Sequence, residues 1–120
     1  MTQLINLEKL NEFAEQDTEL IGELAIIFAR EVPSYLAKLR LAVLESNPKE
    51  LRETSHQLKS QLSYFFCESL IKIAFELEEL GKAGETKPAV AMIEELTADI
   101  NRLMNELRQL TGIALTLEES

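Results

Sequence analysis

The chain has 120 residues, 12 basic and 21 acidic, with one His, one Cys and no Trp, for a net charge of -9. That length fits a single core, and the acidity argues against nucleic-acid binding, which leaves a basic footprint. One Cys excludes an internal disulfide and any Cys-rich zinc site and fits a reducing, cytoplasmic setting; one His excludes metal sites that need two.

Apolar residues recur at helical spacings and no strand pattern appears. Asn6 caps a short first helix carrying Leu7, Leu10 and Phe13. Asp17 or Thr18 starts a long second helix with the stripe Leu20, Leu24, Phe28, Val32, Tyr35, Leu39 and Val43; Pro33 removes one donor there and is expected to kink it. Ser46-Asn47-Pro48 interrupts the pattern. Asn47 is an N-cap, Pro48 fits the first helical position, and Glu50 stands where a capping-box acid would.

The third helix then places Leu51, Thr54/Ser55, Leu58, Leu62 and Phe65 on one side, and Tyr64 to Cys67 mark its end. A fourth carries Leu70, Ala74, Leu77 and Leu80/Gly81, with Gly81 and Gly84 as its stop. Thr86 and Pro88 open a fifth, whose stripe Ile93, Leu96, Ile100, Leu103, Leu107 and Leu110 has bundle periodicity. Gly112 caps it.

Short links favour antiparallel neighbours. The expected fold is therefore all-α: an antiparallel up-down four-helix bundle with an additional short N-terminal helix. A single domain spans 1–120, with a helical core of about 4–111 and a tail, 112–120, to which no structure is assigned. The stripes are used up by an intramolecular bundle, so a monomer is expected. No apolar run reaches the ~18 residues of a membrane span, and no basic segment leads an apolar one as in a secretory signal.

The acidity is uneven. Residues 1–31 carry net -5, residues 61–120 net -6, and residues 32–60 net +2. The only His lies in the positive stretch. On a wheel of ~100° per residue, His56 points about 150° from the apolar side of the third helix. It is thus expected to face solvent among Lys49, Arg52, Lys59, Ser60 and Ser63, with Glu53 and Gln57 at the margins. Arg52 and Lys59 are one turn away on either side. Such a face suits an anion: a phosphoryl group on an imidazole nitrogen, with charge offset by Lys59 and hydrogen bonds from the serines. Unprotonated imidazole is a competent nucleophile near neutral pH. An exposed His beside Lys and Arg is also ordinary on a solvated helix, and the wheel alone leaves both readings open.

Other chemistries fit less well. Glu53-Thr54-Ser55-His56 has the Glu-x-x-His spacing of di-iron bundles, which need a second such motif. A Ser-His-Asp hydrolase needs an oriented His beside an oxyanion hole. No Walker-type loop supports ATP hydrolysis or kinase activity. Cys67 reads as a packed residue, Phe28, Tyr35, Phe75 and the methionines as core, and Glu76, Glu78, Glu79, Glu94 and Glu95 as solvated faces.

Ser55-His56-Gln57-Leu58-Lys59-Ser60 resembles the histidine-phosphotransfer (HPt) signature, His-x-Leu-Lys-Gly after a small residue. Phe28 to Pro33 resembles the acid-apolar-Pro run of the family's second helix, and Leu70 to Gly84 the helix after the His helix. The likeness covers about residues 4–110. It implies a phosphocarrier of a two-component phosphorelay, neither kinase nor ATP-binding. The carrier has no cofactor of its own; Mg²⁺ and the acidic pocket belong to the partner. Partners would be receiver domains of response regulators or a hybrid histidine kinase. His56 would accept phosphoryl through Nε2, Lys59 would offset its charge, and Gln57, Ser60 and Ser63, with the cations Lys49 and Arg52, would form the docking face. Two positions depart from the pattern: Ser60 stands for the motif's Gly, and Phe66 for another frequent Gly. The change at Ser60 is the one support for an alternative, an HPt-like interaction module that is not phosphorylated.

Overall fold

The computed structural model describes residues 3–117. It contains five α-helices: α1 (Leu7–Ala14), α2 (Thr18–Leu44), α3 (Pro48–Ser63), α4 (Glu68–Lys82) and α5 (Ala89–Thr111). No strand occurs among the described residues. Helices α2, α3, α4 and α5 form a closed ring in which each packs on its neighbours in the chain and α5 returns to α2; α1 lies on α2. This is the expected bundle with its extra helix. At 1.5 Å per residue, the 27 residues of α2 span about 40 Å, which accounts for the 42 Å long dimension.

The helix starts follow from side-chain caps. Asn6 accepts from Lys9 N, Asp17 from Glu19 N and Leu20 N, and Asn47 from Glu50 N, each satisfying an orphan donor of the first turn. Asp17, not Thr18, caps α2. The capping box at α3 is only half made. The Glu50 carboxylate turns instead to the Thr54 hydroxyl at 3.1 Å. Helix α2 runs uninterrupted through Pro33.

The core is apolar and continuous, with Phe28, Leu39, Leu51, Leu58, Leu62, Phe65, Leu77, Leu96, Ile100 and Leu103 fully buried. Phe28 and Phe65 meet edge to face at 5.3 Å. The inward face of α2 is broader than the expected stripe and is shifted onto Ile21, Ala25, Ala29, Leu36 and Ala42; Leu20, Leu24, Tyr35 and Val43 lie at its margin. Met104 is core and Met92 borders it, while Met1 lies outside the described residues. Phe13 and Leu110 are exposed at helix ends. Cys67 is packed, its Sγ–H donating to the Leu62 carbonyl. Burial pushes its thiol up to about 12, so it carries no thiolate chemistry at neutral pH.

Three expectations are corrected. Gly81 does not stop α4. It lies inside the helix, and the turn follows at Gly84, which takes φ 76°. Thr86 is buried but makes no side-chain cap, and α5 begins at Ala89. The tail is structured as far as Leu117. Gly112 turns the chain at φ 71°, Leu115 is buried, Ile113 and Leu117 pack on the core, and Arg108 Nε donates to the Leu115 carbonyl. Residues 118–120 of the tail lie outside the described residues.

Candidate functional site

Helix α3 presents His56 outward, as the wheel requires. Its side chain is 61% exposed. The ring is not free, however. Nδ1 lies 2.8 Å from Glu78 Oε2, across the groove on α4. Lys59 Nζ, one turn along α3, donates to the other oxygen, Oε1, at 2.5 Å. A single carboxylate thus joins imidazole and ammonium. Glu78 was expected on a solvated face; instead its side chain is only 8% exposed.

A buried carboxylate is tolerated only when paired, and both pairing groups come from α3. Burial alone would raise the Glu78 carboxyl. The hydrogen bonds and charges of Lys59 and His56 outweigh that and hold it below its ordinary value of 4.5. It is therefore ionised at neutral pH and can only accept, so in the neutral ring the Nδ1 proton points at Glu78. Nε2 keeps its lone pair and faces the open side. The arrangement sets the tautomer of the neutral ring.

Lys59 is also held over the ring of Phe75 at 5.4 Å, a cation–π distance. Phe75 was expected in the core; it is 47% exposed and forms a wall beside the lysine. A shallow cleft of about 370 Å³ opens at His56, lined by Arg52, Glu53, Gln57, Glu78 and Lys82. Arg52 makes no ion pair or hydrogen bond among the described residues, so its charge is open to an incoming anion. Lys49 pairs loosely with Glu53 at 3.9 Å and does not line the cleft. Ser60 and Ser63 are exposed, but their hydroxyls donate back to the carbonyls of His56 and Lys59. They offer a small surface in preference to donors. Among the described residues no cluster of His, Cys, Asp and Glu could hold a metal ion.

The structure places His56, Lys59, Arg52 and Gln57 together on this face, as the wheel grouped them, and adds Glu78, Phe75 and Lys82, which the sequence reading had not put there. The signal for Glu78 was present. It lies four residues after Ala74 and three before Gly81, which places it on the same inward stripe.

The bundle, with its outward His and the lysine one turn on, defines a class of histidine-bearing helical domain, and the chain belongs to the Hpt domain family, whose model matches residues 23–110. Among curated proteins, the phosphorelay protein LuxU of Vibrio vulnificus strain YJ016 is 32% identical over 99 residues, covering 78% of this chain and 86% of the relative. The protein of that name from Vibrio cholerae serotype O1 is 27% identical over 110 residues, 91% of each chain. No solved structure matches significantly.

Proposed function

We propose that the chain is a phosphotransfer protein of a phosphorelay, accepting a phosphoryl group on His56 Nε2 and passing it to a receiver-domain aspartate. Membership of the Hpt family and the relatives named phosphorelay proteins support the general role. The observation that carries the residue-level reading is the Nδ1 contact with Glu78, which leaves Nε2 as the outward nucleophile.

In the acceptor step, the Nε2 lone pair attacks phosphorus of an aspartyl phosphate. The N–P bond forms, the P–O bond to the aspartate breaks, and the carboxylate leaves with the electron pair. The ring then carries positive charge with its proton still on Nδ1, and the Glu78 carboxylate stabilises that charge, as a buried acid does for a general-base imidazole. Transfer onward is the same step reversed. Arg52, and Lys59 by swinging from Glu78, offset the phosphoryl oxygens. The acidic pocket and its Mg²⁺ come from the receiver, which the local +2 of residues 32–60 complements. The chain holds no cofactor, works as a cytoplasmic monomer and is not itself a kinase. Among the described residues no helix is long and apolar enough to cross a membrane.

Incubation with a phosphorylated receiver and Mg²⁺ tests the reading. Acid-labile, base-stable phosphate should appear on the wild type and be absent from His56→Gln. No label from any receiver of the host would instead favour an interaction module that docks without accepting phosphate.

A further inference from the structure

We infer that Gly81 is a positioning residue: it sets the separation of α3 and α4 that lets Glu78 reach His56. Gly81 is buried inside α4, three residues from Glu78. Its backbone is ordinary helix, so no special φ calls for glycine, and glycine is a poor helix former there. Its place is explained by contact. A Cβ at this position would lie 2.6 Å from the Arg52 backbone nitrogen and 2.7 Å from the Pro48 carbonyl oxygen, where ordinary contact starts at 3.4 Å. Both are backbone atoms of the first turns of α3 and cannot rotate aside.

This contact stands one turn from the site, since Arg52 precedes His56 by four residues. The carboxylate of Glu78 has little slack, with its two bonds at 2.8 and 2.5 Å. An added methyl at 81 forces the helices apart by most of an ångström, which takes the Nδ1 contact beyond hydrogen-bond range. The two partners respond differently. Lys59 has a flexible four-carbon stem and follows Glu78; the imidazole hangs on one methylene and does not. The loss therefore falls on His56. Ser55 lies between Arg52 and Lys59 on α3, fully buried, its hydroxyl without a partner. It is the second small residue of this pair of helices near the contact, on α3 where Gly81 is on α4.

The experiment is ¹⁵N NMR of the His56 ring in the full chain, above the pH at which the ring titrates. Wild type should show one Nδ1–H tautomer. Gly81→Ala should keep its helical circular dichroism but show a mixture of tautomers. Gly84→Ala introduces strain at φ 76° with nothing within 4 Å, and should weaken the fold without changing the ring. Should Gly81→Ala fail to fold, Ser55→Val widens the same groove from α3 and should give the same mixture. A wild-type ring signature in the folded wedge variant overturns the inference. The effect on rate rests on the phosphotransfer reading: Gly81→Ala should accept phosphate on the order of tenfold more slowly, because an ångström of misplacement can cost up to ~10²-fold. A wild type that takes no phosphate sinks that reading alone, while the ring signature still decides the role of Gly81.

Discussion

At their connecting end, α3 and α4 are joined through Leu62, Phe65, Cys67 and Leu70, all fully buried and apolar apart from the thiol. Toward the other end, the same helices meet through Gly81 against Arg52 and through Glu78 against His56 and Lys59. The first end is held by volume, because close-packed side chains lose contacts on every side when one is cut back. The second is held by charge balance and by the absence of a side chain at 81. Volume gives stability without chemistry. The polar end puts an ionised acid in a groove where it can set a tautomer.

Substitutions at the apolar end should give the largest loss of stability. Phe65 is fully buried and edge-on to Phe28, so Phe65→Ala should cost about 3–5 kcal/mol in urea denaturation while the His56 ring keeps its tautomer. A change of tautomer in a folded Phe65→Ala protein would show that the two ends are not independent.

At the polar end, Lys59→Ala leaves the Glu78 carboxylate buried with one hydrogen bond fewer. A loss of roughly 1–3 kcal/mol is expected, with the bundle still folded and phosphate acceptance slowed. Unchanged transfer kinetics would make the lysine a structural partner of Glu78 and nothing more.

The same pairing should appear as a pH dependence. Glu78 has a folded pKa below its ordinary 4.5. Its contribution to stability is therefore complete above about that value and is lost as pH falls through the lower folded one. Glu78→Gln removes the titration but keeps the shape. Its deficit relative to wild type should shrink between pH 7 and pH 3. A constant difference across that range would mean that the carboxylate is no better placed in the folded chain than in the unfolded one.

The apolar end was legible in the sequence because spacing alone reports it: Leu58, Leu62 and Phe65 follow one period, and Leu70, Ala74 and Leu77 another. The outward direction of His56 came from the same arithmetic. Glu78 did not: its spacing from Ala74 and Gly81 puts it on the inward stripe, but an acid among Glu76 and Glu79 reads as solvated until its partners are known. Those partners, Lys59 and His56, lie on a different helix, 19 and 22 residues earlier. Phe75 was misplaced by residue type: it stands next to Ala74 and two before Leu77, off the stripe that Leu70, Ala74 and Leu77 define. Gly81 was recognised as a constraint but given the wrong kind, a helix stop in place of a close approach, which only the position of α3 reveals.

The smallest effect is expected at Phe66, beside the apolar end, where the HPt resemblance leads to an expectation of glycine. Phe66 takes φ 53°, the left-handed region that costs a side-chain-bearing residue roughly 1–2 kcal/mol. That is the physical reason for glycine at this break. The aromatic ring offsets the strain by packing edge-on to Phe13 at 5.9 Å, a contact of about 0.5–1.5 kcal/mol beyond its buried area. Phe66→Gly removes both and should shift stability by less than about 1 kcal/mol, in contrast to its neighbour Phe65. A double-mutant cycle separates the two contributions. Phe13→Ala should be destabilising in the wild type and nearly silent in Phe66→Gly. Equal effects in both backgrounds would assign Phe13 to Tyr64, its other aromatic neighbour at 6.5 Å, and leave the strain at Phe66 without an offset in the folded chain.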